Sequence, residues 1–136
     1  MSSHSRSVPI ARIERVALWT DQLGRLRDFY AHWLGAQASP IHVDPGSGLR
    51  AVLLDFCGVG LELIVPPTLA EHPPEKRGSG HPYIALSLGS ADAVDRLTTG
   101  LAAAGHQVIE PPRRSWEGAY RSVVLDPDGN RVELTV

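Results

Sequence analysis

Two hydrophobic rhythms run along the chain, and each occurs twice. Ile13 to Leu18 (IERVAL) and His81 to Leu86 (HPYIAL) read as strands. After the first, Leu23, Leu26, Tyr30, Trp33 and Leu34 recur at helical spacing. Thr20 or Asp21 is placed to cap that helix and Gly35 to stop it. After the second, Val94, Leu97, Leu101 and Ala104 repeat the helical pattern between Ser90, a capping residue, and Gly105.

Each half then ends in a hairpin signal, an apolar β-branched run, a glycine turn and a second alternating run. Leu49 to Val65 (LRAVLLDFCGVGLELIV) aligns over Tyr120 to Val136 (YRSVVLDPDGNRVELTV) without a gap, and 8 of the 17 pairs are identical. The pairs include Arg50/Arg121, Asp55/Asp126, Gly58/Gly129 and Glu62/Glu133. The expected fold is therefore α+β, with two tandem βαβββ modules forming a concave sheet cavity. Residues 1–10 are expected as a flexible tail and 11–136 as a single domain, with module one at 11–66, a proline-rich linker at 67–80 and module two at 81–136.

Strand alternation assigns the faces. Val132, Leu134 and Val136 belong under a helix, as do Leu61, Leu63 and Val65, which turns Glu62 and Glu133 to the opposite, concave side. The same sorting puts Arg15, Ala17 and Trp19 on that side in the first strand, and Tyr83 at the matching position of the second module. The cavity is thus expected to gather Arg15, Glu62, Tyr83 and Glu133. Trp19, Trp116 and Tyr120 are candidate stacking surfaces for a flat ligand. Arg50 and Arg121 are read as braces of the hairpins, without a chemical role.

Composition narrows the function. With 136 residues, 43% hydrophobic and 21% charged, the chain is globular. A net charge of -2 supplies no field for a phosphate backbone, so nucleic acid is not an expected partner. One cysteine, Cys57, permits neither an internal disulfide nor a thiolate zinc cluster. No secretory leader or membrane-spanning stretch is legible, so the expected location is the cytoplasm, with no membrane partner. Six histidines form no H-x-x-x-H or HExxH pair.

The tandem module, the run Asp126 to Leu134 (DPDGNRVEL), the helix end Phe29 to Gly35 (FYAHWLG) and the SADAV…LAAAGHQV segment up to Val108 resemble the vicinal oxygen chelate superfamily. That group includes glyoxalase I, extradiol dioxygenases and bleomycin-binding resistance proteins. The resemblance implies a divalent metal held by two His and two Glu from four strands. Glu62 and Glu133 match the two Glu positions, whereas Arg15 and Tyr83 stand at the two His positions. A guanidinium has no lone pair to give and repels a cation. A neutral phenol is a poor replacement for imidazole.

The leading expectation is a glyoxalase-like protein with a degenerate metal site and no resident cofactor, which binds a small polar or aromatic molecule. Arg15 would recognise charge, Tyr83 would offer a hydroxyl, and Glu62 or Glu133 would accept a proton in any chemistry. One alternative is a metal-dependent lyase, isomerase or dioxygenase whose divalent metal is held by Glu62 and Glu133 with His81 or a residue of a partner chain. The other is a ligand-sequestering resistance protein that does not turn over. The resemblance also implies a homodimer.

Overall fold

The computed structural model describes residues 8–67 and 82–136. Most of the expected tail, most of the expected linker and His81 lie outside the described residues. Module one contains β1 (Arg15–Trp19), α1 (Leu23–Leu34), β2 (Gln37–Ala38), β3 (His42–Val43), β4 (Arg50–Phe56) and β5 (Val59–Val65). Module two contains β6 (Tyr83–Ser87), α2 (Ala91–Ala103), β7 (Val108–Arg114), β8 (Tyr120–Leu125) and β9 (Arg131–Thr135).

The helices begin and end by local chemistry. The Ser90 side chain accepts the Ala93 N–H at 3.1 Å and caps α2. The first residue before α1 is Gln22, which makes no side-chain cap; Thr20 Oγ1, two residues ahead of it, instead accepts the Gln22 N–H at 2.9 Å. Gly35 closes α1 in the left-handed conformation.

Each module forms its own sheet. The first has the order β1-β5-β4-β2, with β3 also on β4, and the second has the order β6-β9-β8-β7. In both, the first strand runs parallel to the last, because the helix carries the chain back across the sheet before the hairpin forms. The expected second strand of module one is split into two-residue pieces on either side of Pro40, whose ring nitrogen cannot donate to a ladder. Its counterpart β7 carries Pro111 and Pro112 on the sheet edge and has register shifts on both sides of Glu110.

The inner faces of both sheets and the two helices share one buried cluster. Leu18, Leu61 and Leu63 from sheet one meet Leu26 and Tyr30 of α1, Val94 and Leu101 of α2, and Val132 and Leu134 of sheet two. A hydrogen-bonded bolt crosses this core. Tyr30 Oη donates to Asp126 Oδ2 at 2.7 Å, and Gln22 Nε2 donates to Asp128 Oδ1 at 2.7 Å. No described helix is long and apolar enough to cross a membrane.

The two hairpins differ in parity. The strands of β4–β5 meet at a two-residue turn, Cys57-Gly58, in which both residues take positive φ, 51° and 92°. The β8–β9 connection is longer, and Leu125 pairs with Arg131. Leu54 pairs with Leu61, but Val124, not Leu125, pairs with Val132. The gap-free alignment is therefore one residue out of step in the first hairpin strand. Leu54 faces the core, and its aligned mate Leu125 faces the other way.

Candidate functional site

The sheet face opposite the helices carries the predicted polar residues in each module. On sheet one, Arg15 pairs with Gly60 and Ala17 with Glu62, so Arg15 and Glu62 share the outer face one step apart. Arg15 Nε donates to Glu62 Oε1 at 3.2 Å. Gly60 makes room for this reach: a Cβ there would lie 3.1 Å from Arg15 Cβ and 3.2 Å from Leu53 Cδ1. Trp19 lies on the same face, in register with Ile64.

Sheet two repeats the placement with different chemistry. Tyr83 pairs with Arg131 and Ala85 with Glu133, the equivalents of the Arg15 and Glu62 positions. Tyr83 Oη donates to Glu133 Oε1 at 2.6 Å. That bond, with some desolvation and the nearby negative charge, raises the Tyr83 pKa above the ordinary phenol value, against a weaker opposing pull from Arg121. Tyr83 is accordingly held as a neutral hydroxyl donor.

Arg121 completes the cluster, and the sequence reading gave it no chemistry. Its Nη1 lies 3.3 Å from Tyr83 Oη and 3.6 Å from Glu133 Oε1, while Nη2 lies 3.5 Å from Glu110 Oε1. Glu110 also accepts from Arg113 Nη2 at 3.3 Å. The half-step between the hairpins explains the omission. Aligned without a gap, Arg121 inherits the position of Arg50, which pairs with Val65 on the helix side of its sheet. In register, Arg121 is the mate of Ala51 and faces outward.

Tyr120 is on the helix side of β8, where its hydroxyl donates to Asp95 of α2. Among the described residues of one chain the four predicted cavity residues stand as two separate sets. Arg15 and Glu62 bond to each other on sheet one, Tyr83 and Glu133 on sheet two, and among the described residues no hydrogen bond or ion pair joins the two sets. The shared core lies between the sheets, so their polar faces turn outward from it. Trp116 is 92% exposed in the turn after β7 and touches neither set.

The donor chemistry decides whether the described residues fit the divalent metal implied by the resemblance. Both carboxylates already accept from protonated donors, Glu62 from a guanidinium and Glu133 from a phenol with a second guanidinium nearby. Neither Arg15 nor Tyr83 offers the lone pair of an imidazole. Among the described residues no group of three or more His, Cys, Asp or Glu side chains is placed to hold a metal ion. The described set does not fit one. His81, the alternative ligand, lies outside the described residues.

Solved structures share this architecture. Lactoylglutathione lyase from Agrobacterium tumefaciens is similar at a TM-score of 0.70 and 22% identity, over 94% of this chain and 95% of that one. The trypanothione-dependent glyoxalase I of Leishmania major matches at 0.70 and 19% identity, over 93% and 86% of the two chains. A glyoxalase I mutant from Zea mays matches at 0.74 and 19% identity over 91% of this chain, which spans 44% of that longer protein. At these identities the likeness shows the fold. A comparison with curated proteins finds no match. Over residues 12–134 the sequence matches the profile of the Glyoxalase/Bleomycin resistance protein/Dioxygenase superfamily, and the chain belongs to that family.

Proposed function

We propose that this chain is a glyoxalase-superfamily protein that works without a resident metal and binds a small polar or aromatic molecule against its outward sheet faces. The observation that carries the reading is the Arg15–Glu62 ion pair, a fixed positive charge at a position where the family places a metal ligand. Arg15 recognises an anionic or carbonyl group of the ligand, and Trp19 supplies an aromatic wall on the same face. On the other sheet Tyr83 donates a hydrogen bond and Glu133 accepts a proton if the ligand reacts. A cation would supply a Lewis acid for an enediolate; without it, glyoxalase-type isomerisation loses its main electrostatic support.

The two outward faces are half-sites, and a second copy of the chain brings sheet one of one protomer against sheet two of the other. Leu53, beside Glu62, and Tyr83 are large side chains that stand exposed on those faces, which favours such a partner. The cytoplasm remains the proposed location.

Metal analysis of the purified protein, alongside Glu62→Ala and Glu133→Ala, tests the proposal. Substoichiometric metal in all three, with ligand binding weakened by Arg15→Ala, is the expected result. Stoichiometric metal in the parent that both Glu variants lose would overturn it and point to the metal-dependent lyase, isomerase or dioxygenase. Tight binding without turnover favours sequestration over catalysis.

A further inference from the structure

The half-step between the hairpins separates a second pair of identical residues. Asp55 and Asp126 align without a gap, yet Asp126 is buried as the acceptor of the Tyr30 hydroxyl. Asp55 instead pairs with Gly60, which on its other side pairs with Arg15, so Asp55 and Arg15 share the outward face of sheet one. There the Asp55 carboxylate accepts the backbone N–H of Gly58 at 3.2 Å, and among the described residues no cation reaches it. Arg15, on the same rung, is turned to Glu62.

Sheet two has the opposite imbalance. Its strands turn Arg113, Arg121 and Arg131 outward together with Glu110 and Glu133. Arg113 and Arg121 answer the two carboxylates. Arg131 stands in register beside Tyr83, is exposed, and makes no side-chain hydrogen bond or ion pair among the described residues. With His42 at the β3 edge counted as neutral, the described outward face of sheet one carries one negative charge in excess, and that of sheet two one positive charge. An exposed apolar side chain stands near each: Leu53, two residues from Asp55, is 42% exposed, and Tyr83, beside Arg131, is 52% exposed.

Within one chain these faces turn outward from the shared core, so the two charges do not meet. Between copies they are complementary, and complementary charge orients association while apolar neighbours supply buried area. Resting on the reading of the outward faces as half-sites, we propose that sheet one of one copy docks on sheet two of the other, with Asp55 paired to Arg131 of the partner subunit. Formed twice about a two-fold axis, the contact closes a dimer.

Sedimentation equilibrium of the full-length protein tests the pairing, with Asp55→Asn, Arg131→Gln and the double variant. Asp55→Asn keeps an oxygen for the Gly58 N–H and removes the charge alone. Circular dichroism checks that each variant keeps its fold. The parent should be a dimer whose dissociation constant rises about tenfold or more between roughly 50 and 500 mM NaCl. Each single variant should weaken the dimer about fivefold or more at low salt, and the double should be no weaker than the weaker single, because its second change removes a charge whose partner has already gone. A monomeric parent, assemblies larger than a dimer, unaffected single variants, or a double variant that multiplies the two losses would each overturn the pairing. Metal content and ligand binding are read separately. A metal-free, monomeric parent that still binds ligand through Arg15 would overturn the pairing alone, whereas a metal-loaded parent with coupled Asp55 and Arg131 would overturn only the metal-free reading.

Discussion

Tyr30→Phe removes one oxygen from the middle of the molecule and nothing else. The side chain is fully buried, and its hydroxyl donates to Asp126 Oδ2 at 2.7 Å, tying α1 of module one to the β8–β9 connection of module two. Asp126 is 4% exposed. Its carboxylate also accepts from Asn130 Nδ2 and from the backbone N–H groups of Asp128 and Asn130. The substitution leaves those three donors in place and opens no cavity, so the loss is that of one hydrogen bond to a buried acidic group, about 1.5–3 kcal/mol. For a chain of this size that lowers the melting temperature by roughly 6–10 °C. The same bond has a signature in alkali. Burial first, then the Asp126 charge and hydrogen bond, raise the Tyr30 pKa far above its unfolded value near 10. Below that value both states keep the proton and the stabilisation is fully present. Above it the unfolded chain releases a proton that the native chain retains, so stability falls with pH by up to about 1.4 kcal/mol per unit for this residue. Urea denaturation of parent and variant between pH 7 and 11 measures both effects. The variant should start lower and fall less steeply. A difference under about 0.5 kcal/mol at pH 7, with parallel alkaline limbs, would refute the view that this bond holds the modules together.

Ser90→Ala should destabilise by about 1 kcal/mol in chemical denaturation, because the Ala93 N–H loses its cap. Cys57→Asn should stabilise by a few tenths of a kcal/mol to about 1 kcal/mol, since Asn before Gly58 suits a two-residue turn of positive φ better than cysteine. Thr98→Val should cost about 1–3 kcal/mol, because the buried Ser122 hydroxyl loses its 2.7 Å partner. Glu62→Gln should change stability by less than about 1 kcal/mol, since the Arg15 side chain in that pair is 53% exposed, while ligand binding on the same face should suffer.

Repetition made much of the fold legible, because two weak readings of one unit reinforce each other. Helix boundaries followed from Ser90, Gly35 and Gly105, and the alternation in β5 and β9 placed Glu62 and Glu133 on the outward faces. What repetition could not show is parity. Identity between Arg50 and Arg121 is a statement about residue type, whereas the face that a side chain occupies depends on the number of residues in the turn that follows. One residue of difference between the two turns sends Arg121 to Glu133 and Tyr83 and leaves Arg50 beside Val65. The same half-step takes Tyr120 to Asp95. Nor could alternation within a strand tell which side of one sheet faces the other, since that depends on how the helices pack. Tyr30 with Asp126, and Trp33 with His106, join the modules by their helix sides. A chain bolted together in that way necessarily presents its two acidic faces outward, which is why the arginine that changes the character of one and the tyrosine that changes the other never meet within it.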